Sequence, residues 1–287
     1  MTVIDVHSHW GTERGYPLRT KEELAQQMKT WNSPPTYATE AEMAQYFRDS
    51  GVRAILDFHF SKFLPFEEMV ALHDYGFATE RAHPDAIIGQ WIHVDPRRAG
   101  PRGLQELRRC IDHAPGFIGF GVSASLSAPA SDPSYDPYYK LCIEANVPVL
   151  VFVGTTGLGA GLPGGGGVVL DSCHPRHLDA TAAKYPELTL VAGRPGWPWQ
   201  TEELAVLLHK RDIWCELHGW SPKYLAPDLK HEIPRRLKER VMFAADYPLF
   251  AYDRLVRDWR GEGYPEDVLE DVFHRNAERF LEQVRRR

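Results

Sequence analysis

The chain has 287 residues, a hydrophobic content of 43%, a charged content of 25% and a formal net charge of −6. This length fits one large α/β domain with an ample core, and the acidic balance argues against a nucleic-acid-binding protein, which needs a basic face. No apolar run approaches the length of a membrane span, and the four cysteines include no pair at metal-ligand spacing. We therefore expect a cytoplasmic protein with reduced thiols that binds neither nucleic acid nor a membrane.

The first predicted element is a short strand that carries two histidines. Val3, Ile4 and Val6 are apolar, and His7 and His9 alternate with other residues at the end of the run. Because side chains two apart in a strand point to the same side, both imidazoles project together. Such a pair supplies two of the ligands that a divalent metal site needs. The alternative is one locally hydrogen-bonded His beside a solvated one, and a His-x-His pattern alone favours a metal only weakly.

A polar stretch, residues 11–38, follows this strand and contains a predicted helix over Lys21–Trp31. Its position makes it a candidate lid over a site. Thr39 and Glu42 then have the spacing of a capping box, which predicts a helix that stops at Gly51. This helix is the first of a regular series.

Short apolar strands alternate with helices along the rest of the chain. Eight strands, each followed by a helix, predict an α/β fold of the (β/α)8 TIM-barrel type as a single domain over residues 1–287. A doubly wound open sheet is the alternative, and the strand count disfavours it. Residues 253–287 are predicted to be C-terminal helices. The other predicted strands are Val52–His59, Ile87–Val94, Phe117–Val122, Val147–Val153, Leu188–Ala192, Ile213–Leu217 and Val241–Ala245, and the other helices are Pro65–Ala82, Arg102–Asp112, Pro137–Ala145, Pro175–Lys184, Glu202–Lys210 and Asp228–Lys238.

Polar side chains at the carboxyl ends of these strands are the candidate functional residues, because barrel active sites lie at that end. Each imidazole taken alone is as well explained by a structural hydrogen bond, and Asp246 by an N-cap of the next helix. Their convergence on one rim favours a site. An acid behind an apolar strand also needs a cationic partner if it is buried. Besides His7 and His9, the candidates are Asp57, His59, His93, Asp95, Arg194, Glu216, His218 and Asp246.

Aromatic residues near strand ends predict an apolar or aromatic substrate pocket, although packing beneath the loops explains them almost as well. A glycine-rich loop, residues 157–167, matches neither nucleotide-binding pattern and is predicted as a mobile lid. The candidate pocket residues are Trp10, Phe152, Trp197 and Trp220.

Four segments together resemble the amidohydrolase-2 branch of the amidohydrolase superfamily, and they span nearly the whole chain. This branch contains decarboxylases of the aminocarboxymuconate-semialdehyde and resorcylate types and hydrolases of small carboxylic and aromatic compounds. The glycine-rich loop and the segment after strand 7 are similar to a subgroup that includes proposed ring β-ketoacyl-CoA hydrolases. The four segments are Ile4–His9, Val94–Pro96, Gly196–Trp199 and Ala245–Pro248.

The resemblance implies that His7, His9 and Asp246 match metal ligands. Two positions depart from the pattern: Phe152 stands where the branch usually has a metal-binding His, and Arg194 where it usually has a proton-transferring His. Two His and one Asp need a further ligand or water to make a catalytic zinc site. The candidates that could complete the set, or act as catalytic residues beside it, are His59, His93 and His218.

We predict a hydrolase that acts on a small carboxylated, aromatic or polyketide-like substrate through a lactone, ester, thioester or activated C–C bond. Metal-free lactonases of the superfamily support a scheme without a tightly held metal, which we favour. In that scheme Asp246 is the general base for water, His7 and His9 polarise the carbonyl, and Arg194 clamps a carboxylate. In the other scheme a bound Zn or Mn lowers the pKa of its water to ~7.

Two further interpretations remain open at this point. One is a metal-dependent decarboxylase of a small aromatic or unsaturated acid, and the other is a non-catalytic binding relative. The expected partner is a small-molecule substrate, and the sequence leaves a homo-oligomer open.

Overall fold

The computed structural model of the protein describes residues 2–16, 25–26, 29–30, 37–113 and 116–285. Within them, eight strands form one sheet in which neighbours in the chain are neighbours in space, and each pair is parallel. This is the sheet of a (β/α)8 barrel. The strands are β1 (Val3–His9), β2 (Val52–Asp57), β3 (Ile87–His93), β4 (Phe117–Val122), β5 (Val149–Phe152), β6 (Leu190–Gly193), β7 (Trp214–Glu216) and β8 (Val241–Met242).

Helices cover the outside of the sheet between successive strands. Short 3₁₀ segments occupy the loops that follow β2, β4, β5 and β7, and a π-helical stretch, Asp271–Arg275, lies between the last two helices. None of the helices in the described part of the chain is both long and apolar enough to cross a membrane. The helices are α1 (Glu40–Asp49), α2 (Phe66–Ala82), α3 (Pro96–Ala99), α4 (Pro101–Asp112), α5 (Asp136–Glu144), α6 (Pro175–Lys184), α7 (Gln200–His209), α8 (Pro227–Glu232), α9 (Tyr252–Gly261), α10 (Glu266–Glu270) and α11 (Asn276–Arg285).

Two apolar layers hold this arrangement together. One lies between the sheet and the surrounding helices, and the other fills the barrel interior. α11 contributes to the interior layer, because Phe280 packs 6.2 Å from the Trp91 ring and 5.7 Å from the Trp214 ring. The apolar residues of α11 therefore close one end of the barrel. The polar strand ends lie at the other.

The barrel closes between β1 and the backbone that follows β8, residues 243–247, which we call the seam. β8 itself has only two residues. Beyond it, the amide of Asp246 donates to the carbonyl of His7 at 3.1 Å, and the amide of His9 donates to the carbonyl of Tyr247 at 2.7 Å. These bonds bring the two ends of the chain side by side.

The predicted (β/α)8 barrel is confirmed, and the predicted bounds of β4 and α6 agree with the structure. The capping box at Thr39 is present as well. The predicted helix over Lys21–Trp31 lies largely outside the described residues, of which 25–26 and 29–30 are helical.

Several predicted elements are shorter in the structure than expected, among them β2, α8 and β8. β2 ends at Asp57, because its carboxylate accepts a hydrogen bond from the His59 amide at 2.6 Å and turns the chain into a 3₁₀ segment. α8 ends at Glu232, since Pro234 has no amide hydrogen to continue the helix. The predicted strand Val241–Ala245 is reduced to Val241–Met242, and the residues after it pair with β1 only through the seam.

A buried carboxylate, Asp5, ties β1 to the seam. Its Oδ1 accepts from the amides of His7 (2.9 Å) and Ala245 (3.2 Å), and its Oδ2 accepts from the hydroxyl of Tyr252 (2.8 Å) and from Ser8 Oγ. Burial raises the pKa of Asp5 to about 6, against the opposing effect of these hydrogen bonds. The hydrogen bonds from these donors therefore offset the cost of burying the Asp5 carboxylate in the core.

Tyr252→Phe should lower the free energy of unfolding by about 1–3 kcal/mol, because it leaves the buried Asp5 carboxylate without one donor. Urea denaturation followed by circular dichroism measures the change. The matched control is Tyr224→Phe, where the side chain is 61% exposed and the expected change is within about 0.5 kcal/mol. Equal midpoints for the two variants would contradict the role given to Asp5.

Candidate active site

Three buried side chains from opposite ends of the sequence meet beside the seam: His7, His9 and Asp246. One ligand atom of each lies within 4.8 Å of the others. His9 Nε2 is 3.1 Å from Asp246 Oδ1. Both ring nitrogens of His7 are buried without a hydrogen-bond partner among the described residues, and Nδ1 lies 3.4 Å from Glu216 Oε1. The structure thus brings together the three residues that the sequence singled out most strongly.

The charges of this group follow from its burial and its neighbours. Burial lowers the pKa of His9, but Asp246 and Asp57 outweigh that effect and raise it. Burial raises the pKa of Asp246, but the hydrogen bond and charge of His9, together with the charge of Arg194, hold it at about 2. His7 has a pKa well below its usual value, because burial is reinforced by the positive charges of His9 and Arg194. The cluster therefore holds an imidazolium–carboxylate pair beside a neutral imidazole.

A second group, at the ends of β6 and β7, fixes the position of Arg194. Arg194 donates from Nε to His218 Nε2 at 3.0 Å and from Nη1 to the carbonyl of Thr155 at 3.1 Å. Because a guanidinium can only donate, His218 Nε2 is the acceptor, and the ring proton lies on Nδ1. That nitrogen is 2.6 Å from Glu216 Oε1. The hydrogen-bonded chain from Glu216 through His218 to Arg194 therefore orients the guanidinium. It uses both ring nitrogens of His218.

Phe152 lies at the centre of the rim. Arg194 Cζ lies 4.9 Å from the centre of its ring, a distance at which a cation is attracted to an aromatic face. Phe152 thus makes an apolar floor at the strand end where the resemblance led us to look for a metal ligand. Four imidazole rings surround it, at 5.1 Å (His7), 5.2 Å (His59), 5.5 Å (His93) and 5.1 Å (His218) between ring centres.

Asp57 organises the histidines of β2 and β3. Its Oδ2 is 2.6 Å from His93 Nε2, and its Oδ1 accepts from the amide of His59. Burial lowers the pKa of His93, and it lowers the pKa of His59 further, with a contribution from the charge of Lys62. Both rings are therefore neutral. His93 is committed to Asp57, whereas His59 Nε2 is buried without a partner in the described structure.

Lys62 is a functional candidate that the sequence did not reveal. It lies on the 3₁₀ segment after β2, only 4% exposed, and its Nζ donates to the carbonyl of Ser123 at the end of β4. Burial lowers its pKa to about 7. In the sequence Lys62 lies among apolar residues, between Phe60 and Phe63. Such a position is unusual for a solvent-facing lysine and could have pointed to its burial.

The predicted aromatic pocket is only partly assembled. Trp10 packs inside the helical layer, 4.8 Å from the Phe58 ring and 5.3 Å from the Tyr75 ring. Trp197 is 47% exposed and lies 5.8 Å from the Trp220 ring. Trp10 is thus a core residue, as the alternative of packing beneath the loops expects. Phe152 is the one of the four that contacts the histidine cluster.

The residues present fit a divalent cation best at His7, His9 and Asp246. A second donor group, His7 with Glu216 and His218, overlaps it, but both nitrogens of His218 are already used. In the first group the ring nitrogens of His7 have no hydrogen-bond partner among the described residues, and Asp246 Oδ1 contacts His9 Nε2 within the group itself. Two histidines, one carboxylate and a water match the ligand number of a catalytic zinc site.

A family model described as amidohydrolase matches residues 4–283. The chain belongs to the amidohydrolase family. A search of curated proteins finds no match. The resemblance inferred from the motifs is thereby confirmed for nearly the whole chain of this amidohydrolase.

Solved structures share its fold over almost their full length. An uncharacterised TIM-barrel protein from Bordetella bronchiseptica has a TM-score of 0.77 at 19% identity, with 99% of each chain covered. The 5-carboxyvanillate decarboxylase of Sphingomonas paucimobilis has a TM-score of 0.67 at 15% identity, with 98% of each chain covered. A 2,6-dihydroxybenzoate decarboxylase in complex with 2,6-dihydroxybenzoate has a TM-score of 0.70 at 13% identity, over 98% of this chain and 99% of the other. At these identities the likeness shows the fold.

Phe152→His should raise the affinity for Zn²⁺ at least about tenfold, because it adds a nitrogen ligand beside His7 at a distance now filled by the phenyl ring. Competition with a chromophoric chelator at pH 7.5 measures the affinity. Phe152→Leu is the matched control, since it removes the ring without adding a donor. Equal affinities for the two variants would show that position 152 cannot reach the cation.

Proposed function

We propose that this amidohydrolase is a hydrolase that acts at the carbonyl group of a small carboxylated substrate, through a lactone, ester, thioester or activated C–C bond. The observation that carries the proposal is the guanidinium of Arg194, which His218 and Thr155 hold over Phe152. With Nε and Nη1 bound to the protein, Nη2 is free in the described structure to bind a substrate carboxylate. A guanidinium is suited to that task because its planar donors match a carboxylate.

The neighbouring cluster supplies the groups that hydrolysis requires. Asp246 is ionised, and its Oδ1 pairs with His9 Nε2 at 3.1 Å. We assign it as the base that accepts a proton from the attacking water. Its pairing with His9 makes it a weak base, and substrate binding must loosen that pair before the proton moves. A divalent cation held by His7, His9 and Asp246 would polarise the carbonyl oxygen when bound. Phe152 keeps water from the floor of the site.

Decarboxylation is the second candidate, and the charge of His9 favours it. A decarboxylase must protonate the carbon that loses CO₂, and His9 is an imidazole whose pKa Asp246 raises. Two solved structures with this fold are, by their names, decarboxylases of aromatic acids. Hydrolysis is preferred because a fixed Arg194 retains the carboxylate that a decarboxylase would have to release.

Product analysis on wild-type protein separates the two reactions. A panel of lactones, esters, thioesters, β-diketones and aromatic acids, each carrying a carboxylate, is incubated in H₂¹⁸O with and without added Zn²⁺ or Mn²⁺. We expect ¹⁸O in a product carboxylate and no release of CO₂. Release of CO₂ without ¹⁸O incorporation would replace hydrolysis by decarboxylation, and silence across the panel would favour a binding role.

Asp246→Asn should lower kcat by about 10²–10⁴, because the amide cannot accept the proton of water. Initial rates on the best substrate of the panel measure the loss. Asp253→Asn is the matched control, since that carboxylate is 68% exposed and pairs with Arg257 on α9. Full activity in Asp246→Asn would remove this carboxylate from the reaction.

Arg194→Lys should raise KM for carboxylated substrates by about ten- to a hundredfold, since lysine cannot reproduce the planar donor set. An ester analogue that lacks the carboxylate should be processed with an unchanged KM. Arg176→Lys, at an exposed ion pair with Asp171, is the control. A parallel rise in KM for both substrates would indicate that Arg194 supports the fold and does not select the substrate.

A further inference from the structure

Lys62 is a buried ammonium group without a carboxylate partner. No carboxylate of the described residues lies within 4.0 Å of its Nζ, and its side chain touches the Phe63 ring at 5.0 Å. Some other partly buried basic groups have such a partner, since Lys210 pairs with Asp179 and Arg109 pairs with Glu106, whereas Arg240 donates to backbone carbonyls. A buried charge is costly unless it is paired. Burial accordingly lowers the pKa of Lys62, and an anion bound beside it would favour the charged ammonium.

The surroundings of Lys62 offer further unused polar groups. Ser123, whose carbonyl accepts from Nζ, has a buried hydroxyl without a partner in the described structure, and the same holds for His59 Nε2. Ser123 directly follows β4, the strand next to β5, and the His59 ring lies 5.2 Å from the Phe152 ring between centres. An ammonium, a hydroxyl and an imidazole together can bind a carboxylate by charge and hydrogen bonds.

Lys62 and Arg194 stand on opposite sides of the end of β5. Lys62 is bound to the end of β4 through Ser123, and Arg194 extends from the end of β6 across Phe152. The end of β5, which carries Phe152, therefore lies between the strand ends that hold the two cations, and His7 packs against Phe152 with 5.1 Å between ring centres.

We propose that Lys62 and Arg194 bind the two ends of one substrate, and that the substrate is a small dianion with its reacting carbonyl between two carboxylates. Each cation contacts one carboxylate at hydrogen-bond distance, about 3 Å. The inference rests on the proposed function for the carboxylate at Arg194. It adds the second carboxylate and the residue that binds it.

Calorimetric titration with glutarate and monomethyl glutarate tests the proposal, because the two probes have the same chain and differ by one charge. Wild-type protein should bind glutarate at least about tenfold more tightly than the monoester. Lys62→Met should bind both probes with the affinity of the wild type for the monoester, whereas Lys62→Arg should keep the preference. Lys210→Met, which removes an ion pair between the residue that follows α7 and Asp179 on α6, is the matched control.

A second measurement needs only the wild-type protein and Lys62→Arg. At pH 8 most of Lys62 is neutral, since its pKa is about 7; a bound anion raises that pKa, so the protein should take up as much as about one proton with glutarate. Titrations in two buffers of different ionisation enthalpy give the proton number. Lys62→Arg should show no uptake, which separates Lys62 from the other titratable and charged groups around it: Asp57, His59, His93, Asp95, Cys173 and Arg194.

Equal affinities for glutarate and its monoester in the wild type, or proton uptake that persists in Lys62→Arg, would overturn the proposal. Failure of glutarate to bind at all would do the same. These outcomes are distinct from failure of the proposed function, which is judged by turnover. An inactive protein that still prefers the dianion through Lys62 would refute hydrolysis and support the inference.

Discussion

The seam between β1 and the backbone after β8 is the constraint on which the site depends. Two amide–carbonyl hydrogen bonds across it place His7 and His9 beside Asp246, which lies some 240 positions later in the chain. Asp246 itself adopts a φ of 60°, a left-handed conformation that is costly for a residue with a side chain. The seam and the buried Asp5 hold that backbone in place. The carboxylate can face the histidines because the fold, and not local preference, fixes its direction.

The distribution of charge around the rim explains why the site is suited to an anionic substrate. Three buried carboxylates there already pair with an imidazole: Asp246 with His9, Asp57 with His93, and Glu216 with His218. The two basic groups, Lys62 and Arg194, contact carbonyl oxygens, neutral imidazole or aromatic rings instead. Because neither forms an ion pair with a carboxylate of the described residues, an incoming carboxylate gains more from them than from a paired cation.

The sequence was sufficient for the barrel and for the principal cluster, because both follow from local rules. Apolar strands alternate with capped helices, and polar residues at the ends of parallel strands share one rim. The position of Lys62 did not follow from these rules, since a lysine in a turn is ordinarily solvated and only the packing of the 3₁₀ segment buries it. The burial of Trp10 against Phe58 is also a matter of tertiary packing. The tautomer of His218 required the observed contact with Arg194.

The two departures from the usual pattern of the branch are physically coupled. The guanidinium of Arg194 packs 4.9 Å above the Phe152 ring, and this apolar, electron-rich face favours a cation that is only partly hydrated. A metal ligand at position 152 would draw a second cation to the same place and repel the guanidinium. Conversely, a histidine at position 194 would be too short to bond both His218 and the carbonyl of Thr155, as Arg194 does. Phe152 and Arg194 therefore form one unit, in which an organic cation fixed to the protein occupies the side of the site where the branch usually places a metal-binding imidazole.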